Sequence, residues 1–236
     1  MTEASGPPPH AVVTGASSGI GAAIVDRLLR EGWRVTGISR SAPPIADPAF
    51  TPLPLDLSDT GAIRSAIAGL RPTALIHAAG LLRVGGLGGL EAEAGATMWQ
   101  LHVAAAERLA DALIPEMPDG GRIVLIGSRT ASGAAGRSQY AATKAALVGM
   151  ARSWAAELAP RRITVNIVAP AATETPMLLD PARRGVAPRL PPMGRFVQPD
   201  EVAGAVHFCC RETLPRSPGS RSLFAAGARC NARPGR

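Results

Sequence analysis

The chain is poor in the groups that most often announce a function. Its three cysteines, Cys209, Cys210 and Cys230, all lie near the C-terminus. Its four histidines are scattered, and no Cys or His pair has ligand spacing, so no metal site is expected. Aromatic residues make up only 3% against 46% hydrophobic residues overall, so the core must be built from Ala, Val, Leu and Ile. No apolar run approaches the roughly 18 residues that would cross a bilayer. Met1 to Pro9 contains Glu3 and three prolines and lacks the apolar stretch of a secretory signal. That segment is expected to be disordered, and the protein soluble and cytoplasmic, with no membrane partner. The net charge of +7 raises nucleic-acid binding as a reading, but Cys209 to Arg236 alone holds six arginines against one glutamate. The body is left with a small excess and no basic stripe, so no nucleic-acid partner is expected.

Two scarcities are informative in the other direction. Tyr140 is the only tyrosine, and Lys144 is the only lysine among 25 basic residues. The four-residue spacing places both on one face of a helix, a turn apart. A phenol of pKa ~10 is a poor acid at neutral pH, but a cation held close favours its ionised form. Such a pair can give or take a proton at a carbonyl or alcohol. An arginine fork would be a less compact point charge. YxxxK on a solvated helix face is the plain alternative, and the rest of the chain decides between them.

Taken in order, Ala11 to Val13 reads as a strand, followed by Thr14-Gly15-Ala16-Ser17-Ser18-Gly19-Ile20-Gly21 and an amphipathic helix from about Ile20 to Glu31. Strand, glycine-rich turn and helix start make a phosphate cradle, with free N–H groups directed at the anion. Arg34 to Ile38 is a second strand ending in Ser39-Arg40. A hydroxyl and a cation there, in place of an acid, suit a 2′-phosphate, so NADP(H) is favoured, with NAD(H) as the alternative. Leu53 to Leu57 reads as a third strand ending at Asp56, then a helix from Ser58, as its cap, to Leu70. Ala74 to His77 is a fourth strand, and the small residues Ala78-Ala79-Gly80 after it let a cofactor lie against the backbone. A long helix spans Glu91 to Leu113. A fifth strand, Arg122 to Ile126, ends at Gly127-Ser128. The Tyr140 helix runs to about Leu158, capped by Ser138, and Ile163 to Val168 is a sixth strand leading to Pro170. Alternating strands and helices imply an α/β fold, a doubly wound parallel sheet with helices on both faces and ligands at the strand C-terminal ends. No internal repeat is present.

These pieces, in this order over about residues 10–208, resemble the short-chain dehydrogenase/reductase family, a single-domain Rossmann fold. The matching motifs are Thr14-Gly15-xxx-Gly19-Ile20-Gly21, Leu55-Asp56-Leu57, Ala78-Ala79-Gly80, Ser128, Tyr140-xxx-Lys144, and Asn166 to Pro170 leading to Thr175-Pro176-Met177. The resemblance implies an NAD(P)-dependent enzyme interconverting an alcohol with a ketone or aldehyde. Tyr140 would be the acid/base. Lys144 would assist it and bind the nicotinamide ribose, and Ser128 would hydrogen-bond the substrate oxygen. Asp56 and Leu57 would border the adenine. Pro170, Ala171, Thr173 and Thr175 would hold the nicotinamide end. A homodimer or homotetramer is implied as well.

The chain departs from the family pattern at several points. His102 stands where the central helix usually has a proton-relaying Asn; histidine can relay protons, or it can be a hydrogen-bonded helix residue. A cofactor-binding protein with weak or no catalysis is therefore the alternative reading. The usual Asn-Ala-Gly is Ala78-Ala79-Gly80, and the usual Gly after the proline is Ala171. The segment Met177 to Gln198 is rich in Pro and Arg (Arg183, Arg184, Arg189, Arg195), which raises an anionic substrate. Finally, residues 209–236 show no last strand. Reading one base out of frame after Phe208, with permitted codons, turns Cys209 to Gly219 into LLSRDSAAITG and the Ala225 to Gly227 region into C-G-G. That is the ending the resemblance implies, so the tail reads as a frameshift product, natural or from sequencing, with a genuine divergent tail as the alternative.

Overall fold

The computed structural model describes residues 6–180, 190–211 and 223–224. Among these residues, seven parallel strands form one sheet in the order β3-β2-β1-β4-β5-β6-β7. They are β1 (His10–Thr14), β2 (Arg34–Ser39), β3 (Phe50–Pro54), β4 (Ala74–His77), β5 (Arg122–Ile126), β6 (Thr164–Val168) and β7 (Leu223–Phe224). Chain order reverses between β1 and β4, and the crevice outside their C-terminal ends is where such sheets bind ligands.

The strands alternate faces with a period of two, and both faces are apolar because both are covered. Val12, Leu75, Ile123 and Leu125 point to a layer shared with Leu109, Leu113 and Leu147. Val13, Ile76, Val124 and Ile126 point the other way, against Ile24, Leu28, Val202 and Val206. The second layer is made by α1 (Gly19–Arg30) and α6 (Pro199–Cys210). Opposite lie the four-residue α2 (Ile63–Ala66), a long interrupted helix and α5 (Ser138–Leu158). This is the doubly wound α/β fold expected of the sequence.

Several boundaries differ from the sequence reading, each for a local reason. The third strand lies earlier, at Phe50–Pro54, paired with Val35–Ser39. Leu55 to Leu57 leave the sheet. Ser58 caps no helix; its hydroxyl and N–H both donate to Asp56 Oδ1, at 2.7 and 2.9 Å, closing a turn. Only one helical turn follows, in a stretch bounded by Gly61 and Gly69. The long helix is three segments, α3 (Ala92–Trp99), a π turn (Gln100–Ala104) and α4 (Ala105–Leu113). A π turn shifts the backbone ladder, and here the Leu101 carbonyl accepts a bond from His77 Nε2 at 3.0 Å. Ser138 is the first residue of α5 rather than its cap, which is Arg137.

The tail departs too. α6 was not foreseen. It carries through Cys209 and Cys210, whose side chains are buried in the α1 layer. Leu223–Phe224 then pairs with Ile167 and Val168, so a short last strand exists where none was expected. Two residues suffice to occupy part of the β6 edge, which would otherwise present unpaired backbone groups. Residues 212–222 and 225–236, which carry most of the proposed out-of-frame segment, lie outside the described residues, as do 1–5 and the segment containing Arg183, Arg184 and Arg189.

Candidate active site

The glycine loop is held by contacts that leave no room for side chains. Gly15 has φ 69° and a Cβ there would stand 3.0 Å from the Ala79 backbone. A Cβ at Gly21 would overlap the Gly15 carbonyl oxygen. Gly19, at φ 54°, lies under Thr175, whose Cγ2 would be 3.2 Å from an added Cβ. Thr14 knits the turn to β4: its hydroxyl oxygen accepts from the N–H groups of Ala78 and Ala79, both at 3.0 Å. Ser17 and Ser18 are exposed above it. Ser18 precedes α1 without a side-chain cap, and no acidic residue stands in the first turn. The positive end of α1 is thus presented to solvent, which fits a dinucleotide pyrophosphate.

Beside this cradle, Ser39 is buried and donates to the Ser41 carbonyl at 2.7 Å, while Arg40 is exposed at the end of β2. The Asp56 carboxyl is held below its usual range, first by the Ser58 hydroxyl, then by the Ser58 N–H, with Arg40 adding to the effect. Leu57 is buried, and its side chain packs into the core. Asp56 and Arg40 therefore border one rim beyond the glycine loop.

A cleft of ≈ 680 Å³ opens at the C-terminal ends of the strands. Ile20, Ala78, Gly80, His102, Ser128, Tyr140, Lys144, Pro170, Ala171, Thr173 and Thr175, all singled out from the sequence, line it. The remaining predicted positions support it from below or beside: Gly15, Gly19, Gly21 and Ala79 in the packed loop, Ser17, Ser18, Ser39, Arg40 and Asp56 along the rim. Thr173 is buried, with its hydroxyl on the Ala171 carbonyl at 3.0 Å, and Thr173 bridges to Val197.

Tyr140, Lys144 and Ser128 meet in this cleft because α5 buries the face Ala141, Thr143, Lys144, Leu147 and Ala151. Lys144 Nζ donates to the Ile126 carbonyl at the end of β5, at 2.9 Å, and lies 5.8 Å from the Tyr140 ring centre. Burial lowers its pKa to about 8. Ser128 starts the short turn Arg129–Ser132, and its hydroxyl oxygen accepts from Thr130 N–H at 3.1 Å. That leaves the hydroxyl proton available to an acceptor in the cleft.

His102 is buried and fixed at both nitrogens. Leu81 N–H donates to Nε2 at 3.0 Å, so Nε2 is unprotonated and the proton sits on Nδ1. Nδ1 donates to Thr143 Oγ1 at 2.8 Å, and that hydroxyl donates to the Tyr140 carbonyl at 2.8 Å. The ring stands edge-on to Tyr140, at 5.6 Å and 87°. Burial first, then Lys144 and His77, hold its pKa well below the usual value, so it is neutral. A Cβ on Gly80 would come within 3.1 Å of Nε2, so this imidazole requires the glycine opposite it. His77 is likewise neutral, its pKa lowered to about 3 by burial and Lys144. The Thr14 hydroxyl donates to its Nδ1 at 3.1 Å.

Sequence reasoning assigned no contact to Thr14, His77 or Thr143, because their bonds join residues far apart in the chain. It also missed Arg137, which the helical spacing from Tyr140 could have flagged.

A parallel sheet with a glycine-rich loop at its switch point and a Tyr-Lys pair in the adjoining cleft is an arrangement suited to nucleotide-dependent oxidoreduction. The family model for short chain dehydrogenases matches residues 9–183, and the chain belongs to the short-chain dehydrogenase/reductase family. It is 36% identical over 215 residues to the 3-oxoacyl-[acyl-carrier-protein] reductase FabG of Salmonella typhimurium, covering 84% of this chain and 88% of that protein. Among solved structures it is similar to a blue fluorescent protein from a metagenomic library in complex with NADPH (TM-score 0.78, 29% identity, 93% of this chain and 97% of the other). The aldohexose dehydrogenase of Thermoplasma acidophilum superposes with a TM-score of 0.83 at 26% identity, covering 93% of both chains. Among the described residues no helix is long and apolar enough to cross a membrane, and no cluster of metal-ligating side chains occurs.

Proposed function

We propose that the protein interconverts a secondary alcohol or primary alcohol with its ketone or aldehyde, using NADP(H) in preference to NAD(H). The observation that carries this reading is the convergence of Ser128, Tyr140 and Lys144 in one cleft that also reaches Ile20 at the start of α1. When bound, the nicotinamide supplies or accepts the hydride. The protein's part is to bind, orient and handle the proton. In the reductive direction the Tyr140 hydroxyl donates its proton to the substrate oxygen, and in the oxidative direction it takes one back. The Ser128 hydroxyl donates a hydrogen bond to that oxygen as charge develops on it. The Lys144 ammonium, anchored on the Ile126 carbonyl, supplies positive charge beside the phenol and donors for the ribose. Ser39 and Arg40 favour the 2′-phosphate.

His102 enters this reading as a positioning residue. Both its nitrogens are engaged, so it ties the Leu81 backbone to α5 under Tyr140. That argues for an active enzyme over a merely cofactor-binding protein, because the usual Asn is replaced by a group that holds the site together. The test is fluorescence titration with NADPH and NADH, followed by turnover on a panel of ketones and alcohols for the wild type and Tyr140→Phe. Tight NADPH binding in both, with turnover lost in the variant, supports the reading. Turnover unchanged in Tyr140→Phe sinks it.

A further inference from the structure

We infer that the cleft is built for an anionic substrate, a small ketone or the matching alcohol that carries a carboxylate bound by Arg137. The inference rests on Tyr140 being the reacting group. Arg137 immediately precedes α5, three residues before Tyr140, and both line the same cleft. Its backbone is fixed from the other wall: Gly85 bridges to it, and Gly85 N–H donates to the Gly136 carbonyl at 3.0 Å. Its side chain is only partly exposed. The Nε is shut off from solvent and finds no hydrogen-bond acceptor among the described residues. With Nε shut inside, the terminal amino groups are the guanidinium donors that a ligand in the cleft can meet.

The surroundings point to the sign of that acceptor. Arg129, Arg137 and Lys144 line the cleft, and among the described residues no Asp or Glu does. The nearest acid in the sequence beyond Met177, Asp180, pairs with Arg83 at 3.3 Å. A guanidinium presents parallel donors that match a carboxylate in two-point fashion, which a neutral ketone cannot use. Arg137 and Tyr140 are about one helical turn, ~5 Å along the axis, apart. The carboxylate is therefore a few bonds from the reacting carbonyl. Arg129 and Lys144 add to the field without being needed for the two-point contact.

The probes are acetoacetate and levulinate against their methyl esters, which keep the ketone and remove the charge. Wild-type protein with NADPH should show a lower KM for each acid than for its ester. Arg137→Gln should lower the acid-to-ester ratio of kcat/KM by about tenfold or more, mainly through KM, with NADPH affinity unchanged. Arg34→Gln, at the exposed opposite end of the sheet, should keep the wild-type ratio. Equal KM for acid and ester, or a ratio that survives Arg137→Gln, overturns the inference and leaves the oxidoreductase reading standing. If no probe turns over, calorimetric binding of acids and esters to the NADP+ complex makes the same comparison, and equal binding overturns it. Failure to bind NADPH at all removes the reading on which the inference rests.

Discussion

Lys144 should destabilise the fold at neutral pH, and replacing it should show that as a pH-dependent difference. The side chain is 5% exposed, and burial lowers its pKa from 10.5 to about 8. Between those two values the unfolded chain holds a proton the folded one has released, so raising the pH favours folding. Below the folded pKa the amine is charged in both states, and the cost of burying it stands at its full value. The full span corresponds to about 3 kcal/mol, of which about 2 kcal/mol is recovered between roughly pH 7 and 9.5. Lys144→Met removes this dependence. It also removes the bond to Ile126, worth about 1 kcal/mol, but that offset does not vary with pH. The assay is urea unfolding of both proteins, without cofactor, at the two pH values. The variant's advantage should shrink by about 2 kcal/mol from the lower to the higher pH. The buried thiols of Cys209 and Cys210, pushed up to about 12, titrate in both proteins and cancel. Because the chain has one lysine and one tyrosine, no other lysine contributes to the comparison. A difference that stays flat across this interval refutes the argument. Activity should be lost in the variant at every pH.

Arg40→Glu should weaken NADPH binding by about tenfold or more while sparing NADH, read by fluorescence titration; equal effects on both would remove Arg40 from 2′-phosphate recognition. Gly21→Ala should lower stability and abolish binding of either cofactor, because the added methyl overlaps the Gly15 carbonyl; a variant that folds and binds normally contradicts the packing described. His102→Asn should retain a pH–rate profile of unchanged shape with reduced kcat, since the native imidazole is already neutral; a displaced limb would mark it as a proton relay. The coding sequence after Phe208 should read LLSRDSAAITG one base out of frame, and a frame-restored chain should form the larger assembly by light scattering; a gene without that shifted reading refutes the frameshift.

The fold was legible because periodicity and turn chemistry repeat along the chain. Ala74–His77 and Arg122–Ile126 are strands with the bounds the sequence implies, since each is a short apolar run between turn residues. Phe50–Pro54 was not, because its two prolines argue against a strand and only its edge position tolerates them. Tyr140 and Lys144 were legible because their chemistry and spacing are local. The Thr14–His77 and His102–Thr143 bonds join residues 63 and 41 positions apart, and no periodicity records them. The π turn was hidden for the same reason: nothing in Gln100 to Ala104 breaks a helix, and the shift accompanies the bond that His77 makes to Leu101.

These long-range contacts explain why the replacement of the usual Asn by His102 is compatible with an intact site. An amide and an imidazole can both accept from a backbone N–H and donate on the far side. The imidazole is larger, so the exchange requires open space opposite, and Gly80 provides it within 3.1 Å of Nε2. It also requires a neutral ring beside an ammonium, and burial, with Lys144 adding to it, holds both His102 and His77 below their usual pKa. Lys144 thus acts in two directions, toward the Tyr140 phenol and toward the buried imidazoles. Protonating either ring would set a second positive charge against the first in a low-dielectric region. For both histidines the folded pKa is depressed, so their contribution to stability is present above about pH 6.5 and is lost as pH falls below it. Acid should therefore lower stability by driving protons onto these two buried imidazoles, which loosens the loop after β4 from α5.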